Sequence, residues 1–256
     1  MKTVDLIITT YNRLAFLKLV FKCIESQNDP EHYRYIIVDA GSVDGTQEYL
    51  QEKLKNFDSS VLLMNNNHPL PWMLNECWQK ALPAIEHSLA EEFIICDDDV
   101  LCYGKNFIQE LRSALYEYGY DVLAPRSPNI TQESLIIAKN KGNLDRNIIV
   151  RPNLIGTHYR IHKKEKVLKA IKNYFGPTRR ETWFCQRIVS RGLKMGFYLP
   201  IPVFDIGGWA QSYAPKGELK HDHPQIVWAK EFLKTGWSCK YGPEKILHWD
   251  KMRGIK

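Results

Sequence analysis

Four short apolar, β-rich runs fall within the first hundred residues, and a helical stretch separates each from the next. "TVDLIITTY" leads into "RLAFLKLVFKCIES", whose Leu14, Leu17, Phe21 and Ile24 share one helical stripe, with Asn12 placed to cap it. "YRYIIVD" follows, apolar almost without a break, as suits a strand buried on both faces. Asp44 and Gln47 then read as a capping box that opens a helix running through Leu54. "SSVLLMN" is the third run, a helix from about Pro71 to His87 comes next, and the fourth run is "EFIIC". This alternation predicts an α/β fold, with a central, mostly parallel sheet flanked by helices and joined by right-handed crossovers. Ligands collect beyond the carboxyl ends of strands in such sheets. Thr9 to Tyr11, Asp39 and Asp97 to Asp99 all stand at such ends, so they should face one crevice.

Past residue 101 the alternation loosens. "NFIQELRSALYEYG" is a predicted helix, "DVLAPR" is strand-like, and residues 126 to 157 read as loops or short strands. "KKEKVLKAIKNYF" is amphipathic, with Val167, Leu168, Ile171 and Phe175 inward, and the basic run from His158 to Lys172 reads as a solvated helix face. "RRETWFCQRIVSRG" is a helix stopped by Gly192, and "MGFYLPIPVFD" is a strand whose two prolines predict an edge. Without a repeat or a clear linker, residues 1–256 are expected to form one domain. Residues 1–101 would be its regularly alternating half, and 102–256 a more variable half with a C-terminal extension.

The triplet Asp97-Asp98-Asp99 is the chemically demanding feature. Adjacent like charges repel, and a carboxylate ending a buried strand must be solvated, paired or bound to a cation. The expectation is a cation from outside the chain. A net charge of +6 favours anionic substrates but is too small to diagnose nucleic-acid binding. The six cysteines include no C-x-x-C pair and several sit among apolar residues, which predicts reduced core thiols. No stretch approaches the ~20 apolar residues of a membrane span, and Asp5 breaks the first apolar run. The expectation is a soluble cytoplasmic protein with no transmembrane segment, work at a membrane surface being left open.

Together, "VDLIITTYNR", "IIVDAGSVDGT", Asn75 within "MLNECWQKA", "FIICDDDV" and "RRETWFCQRIVSRG" resemble, in order and rough spacing, the family 2 inverting glycosyltransferases with the GT-A (Rossmann-like) nucleotide-sugar-binding fold. The resemblance covers the first hundred residues and returns at 180 to 208. It implies transfer of a sugar, of hexosyl or N-acetylhexosaminyl type, from a nucleotide diphosphate donor with inversion, using Mn²⁺ or Mg²⁺. A divalent cation also makes physical sense, because a diphosphate brings more negative charge to the carboxylates.

By the same resemblance Asp97 and Asp99 form a D-x-D metal motif with Asp99 the direct ligand, while Asp98 or Asp97 touches the donor ribose or sugar. Thr9 and Tyr11 would line the nucleoside pocket, Asn75 would contact the donor, and Asp39 would accept a hydrogen bond from a base imide. That last contact favours UDP-sugars. Ala40 stands where the family usually has a second Asp. Asp44 matches another acidic position of the family, with capping an equally good account of it. Glu181 falls on the position of the base that deprotonates the acceptor hydroxyl. Arg180 replaces the acid that normally precedes it and would meet a phosphate or an anionic acceptor. Asp205 stands where the family often has a third, histidine metal ligand, with His221 or His223 as alternatives. Zinc lacks a partner set of matching spacing. Trp72, Trp183 and Trp209 are candidate sugar-stacking faces, or ordinary core or rim aromatics.

The implied acceptor is a glycan or lipid-linked saccharide, in polysaccharide biosynthesis. Alternatives are a hydroxymethylated base of DNA, reached by flipping, or a nucleotide-sugar or glycan-binding protein without catalysis. A nucleotidyltransferase would need a glycine-rich basic phosphate loop near the start, and "TTYNR" is a poor one.

Overall fold

Residues 4–28, 33–63, 79–102, 104–126, 132–150, 159–171 and 181–205 are described by a computed structural model. Along the chain run β1 (Val4–Thr10), α1 (Leu14–Glu25), β2 (Tyr33–Asp39), α2 (Thr46–Leu54) and β3 (Ser59–Leu63). A helix over residues 79–86, α3, precedes β4 (Glu92–Asp97) and β5 (Val100–Cys102). Then come α4 (Phe107–Glu117), β6 (Val122–Arg126), α5 (Gln132–Asn140), β7 (Leu144–Asp145) and β8 (Ile148–Val150). The last described elements are β9 (Tyr159–Lys163), α6 (Lys164–Ile171), α7 (Glu181–Ser190) and β10 (Met195–Asp205).

The strands join in the order β3-β2-β1-β4-β9-β6-β10-β8-β7, and β5 pairs with β10. From β3 to β4 every pairing is parallel, as the strand–helix alternation predicts. Strand β9 then runs antiparallel between β4 and β6, while β6 and β10 are parallel. Alternating residues of each strand feed two apolar layers. Leu6, Ile8, Tyr35, Ile37 and Ile94 pack with α1, α2 and α4; Ile7, Ile36, Val38, Phe93 and Ile95 pack with α3, α6 and α7. Both faces being covered explains why β1, β2 and β4 are apolar at nearly every position. Cys23, Cys96, Cys102 and Cys185 are buried in these layers.

Five local expectations change. Asn12 is not a helix cap: it has φ +52°, and Arg13 precedes the first turn of α1 without a side-chain cap of its own. The reciprocal capping box does not form either. Helix α2 begins at Thr46, and the Gln47 amide donates to the carbonyl of Ser42 at 3.2 Å. Residues 132–140, expected as loop or strand, form α5.

The basic run from His158 is not a solvated helix face along its length. Its residues 159–163 are a strand at the middle of the sheet, where Arg160 and His162 are 1% and 0% exposed. Two cationic side-chain types hid a strand that its neighbours bury. Finally, β10 is internal. Its partner changes from β8, along residues 196–198, to β5, along residues 203–205, and its register against β6 shifts between Tyr198 and Pro202. Pro200 lies within that irregularity, where a missing N–H costs no ladder bond. Gly196 admits β8 closely, since a Cβ there would lie 2.5 Å from Ile148 Cγ2 and 3.0 Å from the Ile149 carbonyl.

Candidate active site

In-register pairing levels the strand ends. Thr9 lies opposite Asp97, and Thr10 opposite Asp39, so the polar residues ending β1, β2 and β4 form one row. The loops beyond them are stitched together. The backbone N–H of Asn12 donates to the Ser42 hydroxyl oxygen at 2.8 Å, and the Val43 N–H donates to the Asn12 side-chain oxygen at 2.8 Å. These two bonds hold Asn12 in a left-handed conformation that its short polar side chain tolerates. Asp44 accepts from the N–H of Leu14 at 2.9 Å and from the Thr46 N–H and hydroxyl at 3.2 and 2.6 Å. A carboxylate from the second loop thus satisfies the first amide of α1, where the helix dipole favours negative charge. Capping is therefore what Asp44 does here, for the first amide of α2, the helix it precedes, and for that of α1 as well.

Asp39 is fully buried, and its carboxylate accepts from the Ser42 N–H at 3.1 and 3.3 Å and from the Ser42 hydroxyl. A ligand reaches it only when what covers it moves. Tyr11, by contrast, is 38% exposed at the mouth of the row.

The acidic triplet turns directly out of β4. Asp97 is half-buried, whereas Asp98 and Asp99 are buried. A cation is present, and the chain itself supplies it. Arg13 Nη1 lies 3.0 Å from Asp98 Oδ1 and 2.5 Å from Asp99 Oδ2. Beside the cation expected from outside, the chain thus places a positive charge of its own. Burial raises the pKa of Asp98 above the usual carboxylate value, against the opposing pull of Arg13 and the nearby Thr10 hydroxyl; Asp97 pushes it further up. Burial works against the Arg13 charge too, but Asp98 and Asp99 outweigh it, so its pKa lies above the ordinary arginine value. The guanidinium carbon also sits 5.9 Å from the centre of the Phe16 ring, at the start of α1.

One later segment ends beside the acidic turn, and another packs on the strand next to β4. Asp205, the last residue of β10, pairs with Val100, which directly follows Asp99. Glu181 is the first residue of α7, whose early turns pack on β9: Arg160 lies over the Phe184 ring at 5.2 Å and 4.0 Å from Cys185 Sγ. Arg160 is itself the register partner of Ile95, two residues before Asp97. The side chains of Glu181, Trp183 and Asp205, and all of Asn75, Arg180, His221, His223, Trp72 and Trp209, lie outside the described residues.

Among the described residues no group of three or more His, Cys, Asp or Glu side chains is placed to hold a metal unaided. The donor set at the end of β4 still fits a hard divalent cation, because Mg²⁺-like ions typically take one or two carboxylates and complete their shell with phosphate oxygens and water. Sequence reading missed Arg13. The available signal was a basic residue three positions beyond a strand end, in a row of strand ends already rich in carboxylates.

The profile of glycosyl transferase family 2 matches residues 5–183. Among solved structures, the chain is similar to the mannosyltransferase PcManGT from Pyrobaculum calidifontis in complex with GDP-Man and Mn²⁺. That match has a TM-score of 0.62 at 15% identity, covering 90% of this chain and 69% of that one. It is similar also to residues 1–349 of S. aureus TarS in complex with UDP-GlcNAc, with a TM-score of 0.57 at 14% identity over 96% of this chain and 69% of that one. A longer TarS structure matches with a TM-score of 0.55 at 15% identity, covering 79% of this chain and 36% of that one. No curated protein matches by sequence.

Proposed function

The chain belongs to glycosyl transferase family 2 and carries the GT-A fold, and on that premise we propose that it is a metal-dependent inverting glycosyltransferase. It moves a sugar from a nucleotide diphosphate, a UDP-sugar by preference, to a hydroxyl of a glycan or lipid-linked saccharide. The observation that carries this reading is the acidic turn at the carboxyl end of β4, level with Thr9 and beside the ends of β1 and β2. In this reading residues 1–101 hold the nucleotide, and the remainder shapes the acceptor side.

Glu181, at the start of α7, takes the proton of the acceptor hydroxyl; a helix N-terminus favours its ionised form. The acceptor oxygen bonds to the anomeric carbon from the face opposite the diphosphate, the bond to the diphosphate breaks, and one displacement gives inversion. Asp97 and Asp99 hold Mn²⁺ or Mg²⁺, with Asp205 beside them. The cation, when bound, supplies Lewis-acid neutralisation of the departing diphosphate. Tyr11 and Thr9 flank the nucleoside, Asp39 takes the base imide once uncovered, and Asn75, Asp98 and Arg180 complete the donor contacts.

PcManGT binds GDP-Man and TarS binds UDP-GlcNAc, so the base and the sugar need direct measurement. Thermal unfolding with Mn²⁺ and a panel of nucleotide sugars provides it, since a ligand of the folded state alone raises its midpoint. A UDP-sugar should raise it most; no shift across the panel removes the donor. Glu181→Gln should keep that shift while transfer falls about 10²–10⁴-fold. Undiminished transfer would remove Glu181 as the base.

A further inference from the structure

Arg13 pairs with the acidic turn from the loop that follows β1. Its side chain is 20% exposed, whereas the side chains of Asp98 and Asp99 are 6% and 10% exposed, so the guanidinium is their solvent-side partner. Its aim is fixed from behind. The left-handed Asn12 is pinned by Ser42 and Val43, Asp44 caps the next residue, Leu14, and the Arg13 guanidinium packs towards Phe16. A planar guanidinium bridging two carboxylates is a stronger counter-ion than a mobile lysine would be.

From this geometry we propose that Arg13 makes the acidic turn a poor seat for a bare divalent cation, so that the metal loads together with the donor diphosphate. The proposal rests on the functional reading above for the identity of the donor. A cation approaching Asp99 alone meets a fixed positive charge within hydrogen-bond distance of the same carboxylate, and the repulsion between them lowers its affinity. A diphosphate changes the balance, because it neutralises the incoming cation and offers Arg13 anionic oxygens of the kind a guanidinium binds well. Arg13 is thus a positioning and selectivity residue acting through Asp98 and Asp99.

The test is a titration of the full chain with Mn²⁺ alone, free ion being followed by electron paramagnetic resonance, for wild type, Arg13→Gln and Arg13→Lys. Arg13→Gln should bind bare Mn²⁺ at least about tenfold more tightly than wild type, the expected direction when one nearby positive charge is removed. Arg13→Lys keeps the charge and should stay close to wild type. Added UDP should tighten Mn²⁺ binding by a larger factor in wild type than in Arg13→Gln. If Arg13→Gln does not fold, Arg13→Met, which keeps an apolar stem against Phe16, carries the same expectation. Bare-ion binding by the neutral variant that is no tighter than wild type, including none by either protein, overturns the proposal. No nucleotide is present in the first titration. Tenfold tighter binding alongside a flat nucleotide-sugar panel would therefore keep the role of Arg13 and remove the donor.

Discussion

At the amino end of β4, Glu92 is fully buried, with Arg112 Nη2 2.9 Å from its carboxylate and the Tyr116 hydroxyl donating to it. At the carboxyl end of the same strand, Asp98 and Asp99 share a single nitrogen of Arg13, with Asp97 next to them. One carboxylate between two partners is an arrangement that stabilises, and burial with the Glu92 hydrogen bond pushes the Tyr116 hydroxyl pKa up accordingly. At the other end three successive acids, Asp97 to Asp99, meet where the row of strand ends can take a ligand. Burial alone therefore does not mark a functional acid; a place at the carboxyl end of the strand does.

Asp99→Ala is the hardest test of that contrast. It should cost roughly 10²–10³-fold or more in transfer rate, the scale for losing one group that stabilises transition-state charge. Its thermal midpoint should stay the same or rise, because Asp98 then has Arg13 to itself. Unfolding of this variant, seen by circular dichroism, would make the carboxyl end as structural as the amino end. Arg112→Met reverses the pattern. It leaves the Glu92 charge buried without its guanidinium and should cost about 3 kcal/mol in denaturant unfolding, the lower end for breaking a buried pair. Transfer per folded molecule should change by less than about twofold, since the group sits at the far end of a six-residue strand.

The smallest effect concerns a third buried ionisable group. His162 is fully buried, stacked on Phe93 at 4.4 Å and edge-on to Phe184 at 6.0 Å. Burial, then the Arg160 charge, hold its pKa well below the free value of 6.5. The unfolded chain therefore takes up a proton that the folded chain refuses. Stability is fully present above pH 6.5 and falls as the pH drops from there towards the folded-state pKa, by at most about 1.4 kcal/mol per pH unit. His162→Phe should remove this His-dependent part of the acid loss in urea titrations between pH 5 and pH 7. An unchanged slope would mean that other groups set it.

Much of this was legible because it is written in local pattern. Apolar runs of strand length, the glycine turns, and carboxylates placed at strand ends follow from short-range chemistry, so β1 to β4 and their common crevice could be read directly. The later half resisted for a physical reason. Strand β9 carries Arg160 and His162, residue types that mark a surface unless neighbours from β4, β6 and α7 close over them. The prolines of β10 mark an edge unless two short partners divide its length between them.

Sequence by itself determined the alternating α/β plan, the row of polar strand ends and the acidic turn, since hydrophobic period and turn chemistry are properties of neighbouring residues. Only the tertiary structure decided that Arg13 answers Asp98 and Asp99, that Asp44 caps a helix thirty positions back from it, and that β10 returns Asp205 to the side of Val100. Those pairings join residues far apart along the chain. Charge and hydrogen-bond partnership depend on distance in space, and the distances exist only after the sheet has assembled.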